Sequence, residues 1–227
     1  MLSAFPDRRW RQAVTGDGPE YSPREHALAL VMLVLTPLFW ASHSVVGRLV
    51  ANDIPTFSLV GIRWAVAALI FFICVHRTVI GQWHLIKRHW RYLVLTGLIG
   101  PAMFPCLLYN GLKTSTATNA SIIQTIVPGL VPVLGWFLWR ERLRPIQIAG
   151  ILISAIGVAV ILTQGDVGAL AGLQFVIGDL FLLGGFIGWA FYTALIRMKP
   201  PEMSSNTVLA SQMAVAALAI APLWALE

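Results

Sequence analysis

Seven long apolar runs dominate this chain: Ala27–Val50, Ile54–Val75, Tyr92–Leu112, Asn119–Trp139, Ile146–Thr163, Gly178–Ile196 and Thr207–Leu226. Each is close to the roughly 20 residues that an α-helix needs to cross the hydrocarbon of a bilayer. Inside a membrane every backbone N–H and C=O must find its partner within the protein, so runs of this length read as helices and not as isolated strands. Composition agrees. Only 11% of the 227 residues are charged and 57% are apolar, whereas a soluble domain carries about 25% charged residues. Too little charge is available to wet a globule of this size, and lipid has to cover part of it. Nine tryptophans suit a protein with two membrane interfaces to anchor. The apolar run after the polar segment 1–26 is too long for a signal-peptide core and no small-residue cleavage site follows it, so this segment reads as a cytoplasmic tail before a retained first span.

Orientation follows from the basic residues. With the N-terminus inside, 13 of the 16 lysines and arginines fall on the inner side, among them Arg8, Arg24, Arg88, Arg91, Arg140 and Lys199. Arg48 and Lys113 fall outside, and Arg63 lies within a span. This is the bias of cytoplasmic loops, and it places the chain in the inner or plasma membrane. In such a protein the net charge of +6 reports topology and gives no reason to expect a nucleic-acid partner. Cys74 and Cys106 both sit in apolar runs and form neither a disulfide framework nor a metal spacing.

An internal repeat carries the most information. Trp40-Ala41 and Trp189-Ala190 are 149 residues apart, and each stands eight positions before an arginine, Arg48 or Arg197. At the same offset Ala65-Val66-Ala67-Ala68-Leu69 meets Ala214-Val215-Ala216-Ala217-Leu218, an identical pentapeptide. Spans one and two therefore recur as spans six and seven. The unit holds five spans, an odd number, so the two copies are inverted in the membrane. Inverted repeats are a structural basis of alternating access, with substrate near the midplane between the halves. The expected organisation is an all-α polytopic membrane protein of seven transmembrane helices: a tail at 1–26, a complete five-helix repeat at 27–163, and two helices of an inverted second repeat at 164–227. A full second copy would need about three more helices after Glu227, supplied by further C-terminal sequence, a homodimer or another partner.

The stretch Tyr109 to Gly165 resembles the end of an EamA-type repeat of the drug/metabolite transporter superfamily. The marks are Thr114–Asn119, Pro128, the Glu141-Arg142-Leu143 turn, Gln147, Gly150 and Gly157. Gly178-Asp179-Leu180 through Trp189-Ala190-Phe191-Tyr192 is similar to the opening of that family's second repeat. The resemblance covers about residues 27–225. It implies ten helices in two inverted repeats, and export or exchange of small metabolites.

No enzyme motif stands out: no Gly-rich loop followed by Lys-Ser/Thr, no His-Glu-x-x-His, and no cysteine or histidine cluster at zinc spacing. The expectation is a non-enzymatic secondary transporter without cofactor, taking a small-molecule substrate from within the bilayer-embedded bundle. The alternative is a truncated, non-transporting fragment or scaffold that needs a partner.

The candidate substrate-binding residues lie on matched polar stripes. Trp40, His43 and Ser44 share one helical face at i, i+3 and i+4, and their equivalents are Trp189, Tyr192 and Thr193. Indole beside hydrogen-bonding groups suits a cavity for a small amphipathic solute, and it suits interhelical packing as well. Arg63 would face an anionic group of a substrate or carbonyls at a helix end, because a guanidinium deep in the bilayer must meet protein or water. Its equivalent is Gln212. Asn119 and Gln124 in span four are candidate donors to substrate, and His43 is a candidate proton site. Asp179, at the start of span six, reads as a helix cap.

Overall fold

The computed structural model describes residues 23–140, 145–163 and 176–227, all helices and short connections with no strand among them. The helices are α1 (Pro23–Val50), α2 (Thr56–Gly81), α3 (Trp83–Arg88), α4 (Trp90–Gly97), α5 (Phe104–Thr114), α6 (Ala117–Gln124), α7 (Val127–Trp139), α8 (Pro145–Thr163), α9 (Ile177–Ile196) and α10 (Ser205–Trp224), with a π-helical segment, Leu98–Met103, between α4 and α5. Among the described residues six candidate spans are long and apolar enough to cross a membrane: Ala27–Val50, Thr56–Gly81, Trp90–Thr114, Ala117–Leu138, Ile177–Ile196 and Ser205–Trp224. The remaining apolar run, Ile146–Thr163, lies within α8. Glu141, Arg142 and Leu143 of the basic turn, the tail 1–22 and the connection 164–175 lie outside the described residues.

Two runs that read as single spans are interrupted, and proline explains both. Pro101 has no N–H to give to the carbonyl of Gly97, four residues earlier. The α-helix ends at Gly97, and Leu98–Met103 continues with the wider π spacing. Pro128 stands in the same relation to Gln124, where α6 ends, and α7 begins only at Val127. The second run is instead longer than its apolar stretch. α2 carries on to Gly81, so that Arg77 and Thr78 leave the apolar zone as part of the helix.

The chain divides into two units, Met1–His43 and Ser44–Glu227. The described part of the first is helical and strongly apolar on its outside, with Phe39 71% exposed. In the second unit the exterior is similar: Leu69 is 62% and Ile153 70% exposed. Against water each such side chain would forgo about 1.5–3 kcal/mol of burial; against lipid it is at home. The close packing lies on α2, α5, α9 and α10. α10 lies along α2, and α9 along α5.

The α2–α10 pair is antiparallel. At one end the Glu227 carboxylate accepts hydrogen bonds from the Phe57 and Ser58 amides, at 3.1 and 2.8 Å. Gly61 faces Ile220 and Trp224. At the other end Gln82 Oε1 accepts from the Ser204 amide at 3.0 Å. These pairings put the middle of the ladder near Ala67–Ala68 on α2 and Ala216–Ala217 on α10, within the two identical pentapeptides. Small residues there let the helices approach closely, and Ala216 is fully buried.

The end carrying Gln82 is tied down by a second set of contacts. Leu85, Leu93, Met203 and Val208 form a buried apolar cluster. Beside it His89 Nε2 meets Glu202 Oε1 at 3.0 Å. The Glu202 carboxyl is held below the usual carboxylate range, first by its own backbone amide and then by the His89 side chain. A carboxyl with a depressed pKa contributes its stabilisation above the unfolded value, and loses it as pH falls through the folded one. The protection factors of the amides at residues 82–89 and 202–204, taken against the intrinsic exchange rate at each pH, should accordingly fall below about pH 4. Glu202→Gln should reproduce that loss of protection at pH 7, and acidification should then add little. Because Glu202 is exposed, the effect should be small and should shrink in high salt.

Candidate functional site

α9 presents the most developed polar–aromatic face. Trp189 and Tyr192 are one turn apart, and their ring centroids stand 5.0 Å from each other. Phe104, at the start of α5, brings its ring to 4.8 Å from Trp189 and 5.4 Å from Phe186. Tilted aromatic contacts of this kind add about 0.5–1.5 kcal/mol each beyond the area they bury. The Tyr192 ring lies directly on the backbone of the π segment, because Gly100 leaves the room: a β-carbon there would overlap the ring.

From this face a hydrogen-bonded line runs into the bundle. The Tyr192 hydroxyl donates to Gln212 Oε1 at 3.0 Å. Gln212 Nε2 donates to Thr96 Oγ1 at 2.8 Å, and Thr96 donates to the Tyr92 carbonyl at 2.7 Å. Gln212 and Thr96 are almost wholly buried. In a nonpolar surrounding each unpaired donor is costly, and this line satisfies them in series while linking α9, α10 and α4.

The candidate side chains on the other helices fall into further groups. Arg63 Nη1 donates to the Tyr109 hydroxyl at 2.8 Å, and its guanidinium carbon stands 5.3 Å from the Trp64 ring centroid and 5.5 Å from that of Tyr109. Arg48 donates instead to the carbonyls of Leu112 and Lys113. It thereby caps the last turn of α5, where free carbonyls and the negative end of the helix dipole favour a cation. Asn119 Nδ2 turns to Asp179 Oδ1 at 3.3 Å. The same carboxylate accepts from the buried Ser115 hydroxyl and, at 3.1 Å, from the Val176 amide. Asp179 thus caps the start of α9, as its position implies, and also ties that helix to the α5–α6 connection. Thr193 donates to the Trp189 carbonyl at 2.8 Å, within its own helix. Gln124 is half-buried at the end of α6. In the first unit Trp40 and His43 make a tilted ring contact with centroids 6.2 Å apart, and Ser44, which opens the second unit, is buried.

The structure therefore gathers Trp189, Tyr192 and Thr193 on one face and pairs Trp40 with His43. It directs Arg63 to Tyr109 and Asn119 to Asp179. Thr96, Trp64, Phe104 and Tyr109 complete these groups, and sequence reasoning did not single them out. Gly97 and Gly100, next to Pro101 in an apolar run, were the nearest available signal of a crowded crossing.

The comparisons with known proteins bear on the whole arrangement. Residues 27–163 match the EamA-like transporter family. The chain is 28% identical over 181 residues to the uncharacterized transporter YetK of Bacillus subtilis, an alignment covering 79% of this chain and 54% of that protein. It is 31% identical over 131 residues to YyaM, an uncharacterized transporter of the same organism, covering 58% and 43%. To an uncharacterized transporter of Archaeoglobus fulgidus it is 26% identical over 201 residues, covering 85% and 65%. The chain spans about half the length of the curated relatives it matches. No solved structure matches it. With its long apolar helices, this chain is a multi-pass membrane protein and belongs to the EamA-like transporter family.

Proposed function

We propose that this chain forms the solute-handling bundle of a secondary transporter that moves small metabolites, by export or exchange, across the cytoplasmic membrane through alternating access. The observation that carries the reading is a correspondence at the 149-residue offset. Arg63 and Gln212 are equivalent positions on α2 and α10, and each is hydrogen-bonded to the hydroxyl of a tyrosine from another helix, Tyr109 or Tyr192. The two helices lie antiparallel, with their identical pentapeptides near the middle of the ladder. That is the arrangement expected of inverted halves, which can exchange roles about a central solute. In this reading 27–163 is the first repeat and 164–227 the opening of the second. The N-terminus is cytoplasmic, as the basic residues imply. Ser44, Arg63, Asn119, Gln124, Trp189, Tyr192 and Thr193, all of the second unit, line or border the solute path, and Trp40 and His43 are the candidate solute contacts of the first unit by itself.

The test is flux per folded molecule. Cells producing the chain, and cells producing Trp189→Ala at matched membrane levels, are compared for release of preloaded labelled amino acids and organic acids. Trp189→Ala removes the ring that bridges Phe104 and Tyr192, and initial flux should fall about tenfold or more, equivalent to about 1.4 kcal/mol. Tyr192→Phe keeps the ring and frees Gln212, so its loss should be smaller. Equal flux from Trp189→Ala and the unaltered chain would remove the α9 face from the solute path.

A further inference from the structure

Among the described residues, Arg63 is a buried-side cation whose recorded partners are all neutral. Its hydrogen bond goes to the Tyr109 hydroxyl, and its other contacts are the rings of Trp64 and Tyr109. The described ion pairing lies elsewhere, at His89–Glu202. Arg48 supplies the contrast, since its Nη1 is engaged by two helix-end carbonyls, which carry the negative end of the helix dipole. A second, independent feature stands beside Arg63. The indole Nε1–H of Trp64 is buried and has no hydrogen-bond partner among the described residues. A guanidinium carries five N–H donors and no acceptor, and an indole carries one donor and no acceptor. The side chains converging here thus offer several unused N–H groups, a positive charge and an aromatic wall. What they lack is an acceptor with negative charge.

We infer that Arg63, Trp64 and Tyr109 form an anion-binding subsite that takes the carboxylate or phosphate of a small amphipathic solute, its apolar part lying on the aromatic rings. This rests on the transport reading and deepens it: the substrates are anions. The inverted counterpart is not equivalent, because Gln212 is neutral and its amide is already committed to Thr96 and Tyr192. One half of the bundle therefore recognises charge and the other does not, which gives the solute a fixed orientation as it passes.

The probes are phenylacetate, phenylacetamide and phenethylamine, an anion, a neutral amide and a cation of similar size. Binding is followed by calorimetry on the purified full chain in phosphatidylcholine nanodiscs. Phenylacetate should bind at least about tenfold more tightly than the other two, the scale of a hydrogen bond to a charged group. Arg63→Gln should erase the preference, and Arg63→Lys should restore part of it. Trp64→Phe, which keeps the ring and loses only the N–H, should weaken phenylacetate by about threefold to tenfold, and it protects the test should Arg63→Gln fold poorly. No discrimination among the probes, or unaltered phenylacetate binding in both Arg63→Gln and Trp64→Phe, overturns the proposal. Repeating the titration in phosphatidylglycerol nanodiscs separates the two sources of an anion. If that lipid blocks phenylacetate through Arg63, the solute assignment is overturned and the subsite belongs to a lipid headgroup. Flux assays on the same variants keep the two readings apart. Selective binding without flux leaves the subsite standing and removes transport; flux indifferent to solute charge does the reverse.

Discussion

Gly178→Val should leave little folded protein. The first turn of α9 crosses the end of α5 with backbone against backbone, and a β-carbon on Gly178 would overlap the Gly111 carbonyl oxygen and come within 2.9 Å of the Ser115 amide nitrogen. The crossing is tight from the other side too, since a β-carbon on Gly111 would meet the Gly178 carbonyl oxygen and Leu182, both at 2.8 Å. A flexible side chain could swing away; two helix backbones cannot. Nor can α9 slide, because Leu182, Phe186 and Ala190 are fully buried along its length. Overpacking of a well-filled site costs about 1–3 kcal/mol and occasionally more, and with backbone as the obstacle the upper end applies. The measurement is thermal unfolding in detergent together with the monodisperse fraction on size exclusion. Gly150→Val on α8 serves as control, since a β-carbon there meets nothing within 4 Å among the described residues, and it should behave like the unaltered chain. A Gly178→Val protein with normal yield and melting would mean that α5 and α9 do not cross this closely.

Asp179→Ala should produce the second large loss. The carboxylate is almost wholly buried and accepts from Ser115, Asn119 and the Val176 amide. Its removal strands the buried Ser115 hydroxyl, uncaps α9 and cuts the tie to the α5–α6 connection. Leaving donors to a charged acceptor unsatisfied costs about 1.5–3 kcal/mol apiece, and the capped helix dipole adds a smaller share. A net loss of about 3 kcal/mol corresponds to a melting shift of about 6–12 °C for a chain of this size. Asp179→Asn keeps one acceptor oxygen and should lose about half as much. The same variants separate a cap from a proton carrier. As a cap, Asp179→Asn lowers stability while flux per folded molecule and its pH dependence stay unchanged. A flux that loses its pH dependence with stability intact would make Asp179 a proton site.

Much of the fold was legible because hydrocarbon imposes a length and a composition on whatever crosses it. Apolar runs therefore marked where α1, α2, α9 and α10 lie, while two further runs that read as single spans are broken at prolines. Boundaries were less legible. Hydrogen bonding carries α2 through the polar His76-Arg77-Thr78 to Gly81, past the expected end at Val75, because a helix ends where its backbone partners end and not where its apolar run is first interrupted. The site was legible only along single helices. The i, i+3 spacing put Trp189 and Tyr192 on one face, and the 149-residue offset paired Arg63 with Gln212. Thr96 and Tyr109 could not be found that way. They lie 116 and 46 residues from the side chains they bond, and their choice of partner depends on which helices touch. Gly111 and Gly178 were invisible for the same reason: each looks ordinary until the other is opposite it.

The near-identity of α2 and α10 at the middle of their ladder carries a burden for biosynthesis. The fit requires an inverted partner, and α2 of a second molecule inserted with the same topology lies parallel to the first, so α2 has to wait in the bilayer until its own α10 has been made. The repeated alanines allow the close approach but do not set its register. Register falls to what the two helices do not share: the carboxylate of Glu227 seated on Phe57 and Ser58 at one end and Gln82 on Ser204 at the other.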